Sequence, residues 1–553
     1  MPIATPAKTI RLILPDHTPD PAFWIDLFRR AVSERCPVQV VLDGEADFTV
    51  ELALQEGGGP EGFAIADRAA GGVQIASRDR PGLLPGLGKF LHTSTYSQEG
   101  FTASAWRGVS QPQGKVRGIY FATHFHNWYH VAPLAEIEQY VQELALWGVN
   151  TVSVWFDMHH FDGLHDPQAQ AMLARLSAIL QAARRAGMQT SATFLANEGY
   201  ASSPQALRAD WSAGHDGYHH EPLGHYHVEL CPSQPGGTEL ILRWAEEKLL
   251  AFAPVGLDYL WIWPYDQGGC TCARCAPWGA NGFLRIAEPL ARLYRRLVPQ
   301  GKVILSTWYF DHFTDGEWSG LGLAFQQPPD WADYLLADDY GDQFPAYPLQ
   351  HGAPGGLPLV NFPEISMYRC GPWGGFGANP LPRHLEAVWR QAARLVSGGF
   401  PYSEGIFEDF NKVLFAQWFW QPDRPASEIA DEYTNYEFGA AAVIPLREAL
   451  AILEQNHPRR VEGERVICES LQDCERAWQL IQQVEAEMPP AQRQSWRWQM
   501  LALRARIDFE LSRTGGWLRG AALQEAFAAV TRLSHAENAL PEALRPPVVN
   551  VVE

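Results

Sequence analysis

The stretch DYLWIWPYD (258–266) is almost wholly apolar and closes on a carboxylate. It reads as a short, very apolar strand. Seven further runs share its form: RGIYFAT (117–123), NTVSVWF (150–156), QTSATFLA (189–196), KVILSTWYF (302–310), DYLLADDY (333–340), LPLVNFPE (357–364) and GFPYSEG (399–405). Segments of helical period separate most of them. LAEIEQYVQELALWG places Ile137, Tyr140, Val141 and Leu144 on one face and stops at Gly148. Residues 311–332, before the sixth run, read as a long loop. Eight strands alternating with helices predict a (β/α)8 TIM barrel over 115–424, with its chemistry at the C-terminal strand ends. Those ends carry Asp157, Glu198, Asp266, Asp311, Asp339, Glu364 and Glu404.

A chain of 553 residues exceeds one ordinary domain. Residues 1–112 alternate short strands with two helical segments and predict a small α/β domain, joined to the barrel by SQPQG (110–114). Residues 425–553 are helical by period and predict a C-terminal α-helical domain, a candidate surface for pairing two subunits. The net charge of −20, without a Lys/Arg cluster, argues against a nucleic-acid or anionic-membrane partner. No run approaches the ~20 apolar residues of a membrane span. The N-terminus lacks the pattern of a signal peptide, so the expected location is cytoplasmic.

Carboxylates among aromatic side chains in a cup suggest sugar chemistry. Glycoside hydrolysis needs one carboxylic acid for the leaving oxygen and a second carboxylate to attack or to activate water. Asp266 is the candidate acid, with Trp263 and Tyr265 placed to desolvate it; a turn aspartate before Gly268-Gly269 is the plainer alternative. Glu364 is the candidate base or nucleophile, or else a salt-bridge partner of Arg369. Asp339 is the alternative base or a hydroxyl ligand, and only one of Asp338 and Asp339 should point inward. His126, Asn127, Trp128 and Asp157 are candidates for sugar hydroxyls, Trp308 for a stacking platform, and Tyr265 and Glu404 for further substrate contacts. His124, His126, His159 and His160 offer metal ligands without a clear full set.

Cys270-Thr-Cys272-Ala-Arg-Cys275 sets three thiols on one tight loop. Tetrahedral zinc wants four such ligands, and Cys231 in ELCPSQPGG supplies a fourth. A closed structural zinc is expected, with reduced, unligated thiols as the alternative. No organic cofactor is expected.

The stretch GFAIADRAAGGVQIASRDRPGLLPGLGKFLHT (62–93) leads a strand pair into a helix opening Gly82-x-x-x-Gly86. Arg117-Gly118 opens the first barrel strand, and helices follow the eighth. Together these features resemble the glycoside hydrolase superfamily of α-glucuronidases and β-N-acetylhexosaminidases. The resemblance implies an acid at strand four and carboxylates ending strands six and seven, here Asp266, Asp339 and Glu364. It departs from the hexosaminidases, whose adjacent carboxylates end strand four; here Tyr265-Asp266 stands there, and Asp338-Asp339 ends strand six. It departs from the α-glucuronidases in offering an aspartate as acid. The implied substrate is a terminal acidic sugar or N-acetylhexosamine, with Arg117 or Arg369 to hold a carboxylate. The expected function is an exo-acting, inverting glycoside hydrolase. A substrate-assisted β-N-acetylhexosaminidase and a non-catalytic carbohydrate-binding protein on the same scaffold are the alternatives.

Overall fold

Each of the eight runs forms a strand: Val116–Phe121, Thr151–Trp155, Gln189–Leu195, Tyr259–Trp263, Lys302–Ser306, Tyr334–Asp338, Leu359–Phe362, and a split eighth strand, Val396–Gly399 with Tyr402–Ser403. The computed structural model describes residues 6–124, 127–209, 228–265, 269–365, 377–457, 459–468 and 470–535. Each barrel strand pairs in parallel with the next. The eighth returns to the first through Gly398 opposite Val116 and Tyr402 opposite Tyr120, which closes the barrel. Gly398 makes that closure sterically possible. Its φ is +120°, and a Cβ there would lie 1.8 Å from the Val116 carbonyl oxygen.

Barrel helices fill the outer layer, including Leu134–Leu146, Pro167–Arg185, Gly237–Phe252, Gly282–Leu297, Pro382–Ala392 and Asp409–Trp420. The expected loop before strand six instead contains a helix, Glu317–Ala324. Its Gly-rich sequence hides the helical period, and Asp311 supplies the missing start signal: its carboxylate accepts the backbone N–H of Glu317 at 2.6 Å.

The N-terminal region is a six-stranded mixed sheet in which Thr9–Ile13 pairs in parallel with Gln39–Val41 and Phe48–Leu54. Helices Pro21–Ser33 and Arg80–His92 accompany it. The glycines of the second helix allow tight packing. A Cβ on Gly86 would press on Ile75 and Phe63, and one on Gly88 would lie 1.8 Å from the Leu146 carbonyl at the end of the first barrel helix. The segment read as a linker is pinned, since Gln113 and Gly114 donate to the carbonyls of Trp420 and Phe419.

Past the barrel, helices Ala426–Phe438, Val443–Gln455, Cys474–Glu487, Trp496–Thr514 and Ala521–Leu533 pack together. An unexpected antiparallel hairpin, Arg459–Glu462 with Arg465–Cys468, interrupts them. No helix among the described residues is long and apolar enough to cross a membrane. Arg497 joins these helices to the barrel: it meets Asp409 of the last barrel helix at 2.7 Å and Glu143 of the first at 2.8 Å, all three largely buried. Removing one member of a buried ion pair strands the others and costs about 3–5 kcal/mol. Arg497→Met should therefore lower the denaturant midpoint substantially without changing the secondary structure seen by circular dichroism. An unchanged midpoint would show that this contact carries no stability.

Candidate active site

The strand ends of the barrel meet on a floor of aromatic rings. Trp263, closing strand four, stacks on Trp308 beyond strand five at 5.1 Å and 25°. Both meet Phe362 of strand seven edge-on, at 5.3 and 5.4 Å. Trp155 of strand two reaches Trp263 at 6.3 Å, and Tyr402 of strand eight reaches Phe362 at 5.9 Å. Side chains from non-adjacent strands thus touch, as the filled interior of such a barrel requires. The indole N–H groups of Trp263 and Trp308 are buried with no partner among the described residues.

Carboxyls from strands six, seven and eight gather at this end. Asp338 closes strand six and Asp339 follows it; both are buried. Burial raises Asp338 to about 7, although backbone N–H groups of Tyr340 and Tyr309 donate to it and pull the other way. Burial first, and then the charges of Asp338 and Asp342, hold Asp339 well above the usual carboxylate range. Asn361 Nδ2 donates to Asp339 Oδ2 at 2.5 Å, while the Oδ1 atoms of both residues are buried without a described partner. Glu364, two residues past strand seven, is pushed far up by burial and then by Asp338, Asp342 and Asp339. Glu404 is raised by burial and by its Glu408 and Glu364 neighbours, and Tyr402 donates its hydroxyl to it. Burial and mutual repulsion both favour the neutral form of these carboxyls.

Glu404 is held by a dedicated brace. Glu408 Oε1 accepts the backbone N–H of Glu404 and of Gly405, each at 3.0 Å, and the Ser403 hydroxyl at 2.8 Å. Lys412 stands 3.4 Å from the same oxygen. Glu408 therefore shapes the turn and Glu404 is left as the tip.

A second group ends strands two and three. Asp157 is buried, raised to about 7 by desolvation, and contacts His159 Nδ1 at 2.5 Å and His160 Nε2 at 3.5 Å. It hydrogen-bonds Glu198, whose pKa is raised by burial and by the Asp157 charge. Lys248 lies 3.4 Å from Glu198 and 4.0 Å over the Phe194 ring, fully buried and lowered by desolvation. Nearby, burial pushes His124 down to about 3, and its Nδ1 lies 2.8 Å from the Tyr120 hydroxyl. The sequence marks Glu198 as a strand tip without a role and does not single out Lys248. A signal existed: Lys248 falls on the same helical face as Ile241, Ala245 and Phe252, where a lysine demands a buried partner.

Several expected site residues do other work. Arg117 points to the N-terminal end of its strand, where it pairs with Glu61, donates to the carbonyls of Gly148 and Gly114, and stacks near Trp420. It anchors the N-terminal region to the barrel and does not reach the mouth. Asn127 caps the short helix Trp128–Val131, accepting from Tyr129 and donating to the Ala122 carbonyl. Trp128 packs against Tyr140 of the first barrel helix. Tyr265 donates its hydroxyl to Glu317 and packs edge-on against Phe313 in the connection after strand five. In each case a nearer partner claimed the side chain. Asp266, His126 and Arg369 lie outside the described residues.

The four cysteines come together. Cys231 Sγ is 3.8 Å from Cys272 Sγ and 3.9 Å from Cys275 Sγ, and all four sulfurs lie within 4.8 Å of one another.

No protein-family model matches the sequence. No curated protein matches it either. Solved structures do. A family 89 glycoside hydrolase from Clostridium perfringens, solved with GlcNAc-α-1,4-galactose, superposes with a TM-score of 0.61 at 12% identity over 88% of this chain. The chain spans 62% of that enzyme's length. A family GH115 4-O-methyl-α-glucuronidase with specificity for decorated arabinogalactans gives a TM-score of 0.61 at 13% identity, over 99% of this chain and 80% of its own. The GH20 β-N-acetylhexosaminidase of Streptomyces coelicolor gives 0.50 at 16% identity, over 80% and 92%. At these identities the likeness is one of architecture, and the chain shares its fold with these three enzymes.

Proposed function

We propose that the chain is an exo-acting glycoside hydrolase that removes a terminal sugar by carboxyl acid–base chemistry. The convergence of Asp338, Asp339, Glu364 and Glu404 beside the Trp263–Trp308 floor carries this reading. Aromatic faces suit the apolar face of a pyranose. The buried indole N–H groups of the floor suit its hydroxyls. Leaving such groups unmade costs about 1–3 kcal/mol each, which a bound sugar would recover. Exo action rests on the cup formed by a floored barrel mouth.

In this reading Glu364 is the base that activates water, or the nucleophile, on the anomeric face, and Asp339 orients the sugar beside it. The acid is Asp266, proposed from the sequence alone. An inverting outcome is the expectation, which needs roughly 6.5–9.5 Å between the two carboxyls to admit a water. Two of the neighbouring enzymes are named for a methylglucuronic acid and an N-acetylhexosamine. The substrate class is thus an acidic sugar or an N-acetylhexosamine; with Arg117 committed to Glu61, Arg369 is the other sequence candidate to hold a carboxylate.

A panel of nitrophenyl glycosides tests the reading. Glu364→Gln should lower kcat/KM on the cleaved glycoside by roughly 10²–10⁴-fold, the usual worth of a positioned acid or base, with Asp339→Asn and Asp266→Asn also impaired. The anomer first formed, followed by proton NMR, should be inverted. Full activity in the Glu364→Gln enzyme would refute the assignment.

The pH profile supplies a separate check. A base must be ionised to act, so a raised pKa shifts the acid limb of kcat/KM upward from the ordinary carboxylate range. Asp338→Asn removes one of the like charges raising Glu364 and should move that limb to lower pH. A limb that stays in place would exclude the coupling.

A further inference from the structure

We propose that Cys231, Cys270, Cys272 and Cys275 bind one zinc ion in a closed structural site. The sulfur spacing is the first argument. Four thiolates at the zinc–sulfur distance of about 2.3 Å form a tetrahedron whose edges are roughly 3.8 Å. The Cys231–Cys272 and Cys231–Cys275 separations are 3.8 and 3.9 Å. A disulfide brings sulfurs to about 2.0 Å, so these distances do not describe bonded pairs. A multinuclear iron–sulfur cluster would hold its cysteines farther apart than this.

The surroundings are those of a built centre. Cys231, Cys270 and Cys275 are buried, and Cys272 is partly so. The Cys275 and Ala276 N–H groups turn back onto the Cys272 carbonyl at 2.8 and 2.9 Å, which fixes the knuckle carrying two of the thiols. Ser233 Oγ lies 3.1 Å from Cys275 Sγ and accepts from Arg285 at 2.6 Å, so a cation stands one hydroxyl away from the thiolates. Four thiolates around a divalent ion leave a net double negative charge that this arginine partly offsets. With four protein ligands the ion has no open position and takes no part in bond breaking.

The centre joins two parts of the mouth. On one side Cys231 follows Leu230, which exchanges hydrogen bonds with Asn197, the residue before Glu198. On the other, the Cys275 carbonyl accepts the N–H of Gly282, where the fourth barrel helix begins. A zinc ion here ties the end of strand three to the start of that helix and holds Glu198 from below.

Metal analysis of the full chain, purified under reducing conditions without chelator, should find one zinc per chain. Replacing zinc with cobalt(II) should give a thiolate-to-cobalt charge-transfer band and the intense visible bands of a tetrahedral site. Cys272→Ser should lose the metal and lower Tm. If that variant does not fold, the cobalt spectrum of the wild-type chain still decides the matter. Four freely titrating thiols with no metal retained after zinc reconstitution would overturn the proposal. So would stoichiometric iron in place of zinc, or a cobalt spectrum without charge transfer. Metal content is read without any sugar, so this result stands apart from the glycosidase assignment.

Discussion

Everything at the mouth depends on strand eight closing against strand one. The contact at Gly398 and Val116 admits no side chain. Once it forms, the ring of strands is complete and the inward residues of strands two, four, five, seven and eight are forced into mutual contact. The aromatic floor is the product of that closure. It excludes water from beneath the carboxyls, and exclusion of water is the first cause of every raised pKa among them.

The flanking regions serve that geometry. Arg117 and Glu61 lock the N-terminal sheet onto the lower end of strand one, and Gly88 lets its helix touch the barrel backbone. At the other flank Arg497 grips Asp409 on the helix that follows strand eight. The residue just before it, Glu408, braces the backbone of Glu404. The C-terminal helices thus steady one of the proposed site's tips from behind, through a short series of buried charge contacts.

Much of the barrel was legible in advance because its strands are buried on both faces. Such strands must be apolar throughout, and an apolar run bounded by polar turns is conspicuous in a sequence. The helix Glu317–Ala324 was not legible, since glycines blur its period and its start depends on Asp311 folding back onto it. The hairpin at Arg459–Cys468 is too short to declare itself between helices.

The chain by itself determined which residues end the strands, and so which carboxyls could meet: Asp339, Glu364 and Glu404 sit where the eight-run pattern put them. It also determined that four thiols lie on two short segments. Tertiary structure decided what each tip does. Tyr265, Asp311, Asn127 and Arg117 had the right chemistry and position but found nearer partners in Glu317, a helix start, a cap and Glu61. Lys248 and Glu198, fifty residues apart, became a pair only when a helix laid its lysine against the end of strand three. The physical reason is competition. A polar side chain takes the strongest partner within reach, and reach is set by packing between segments distant in sequence.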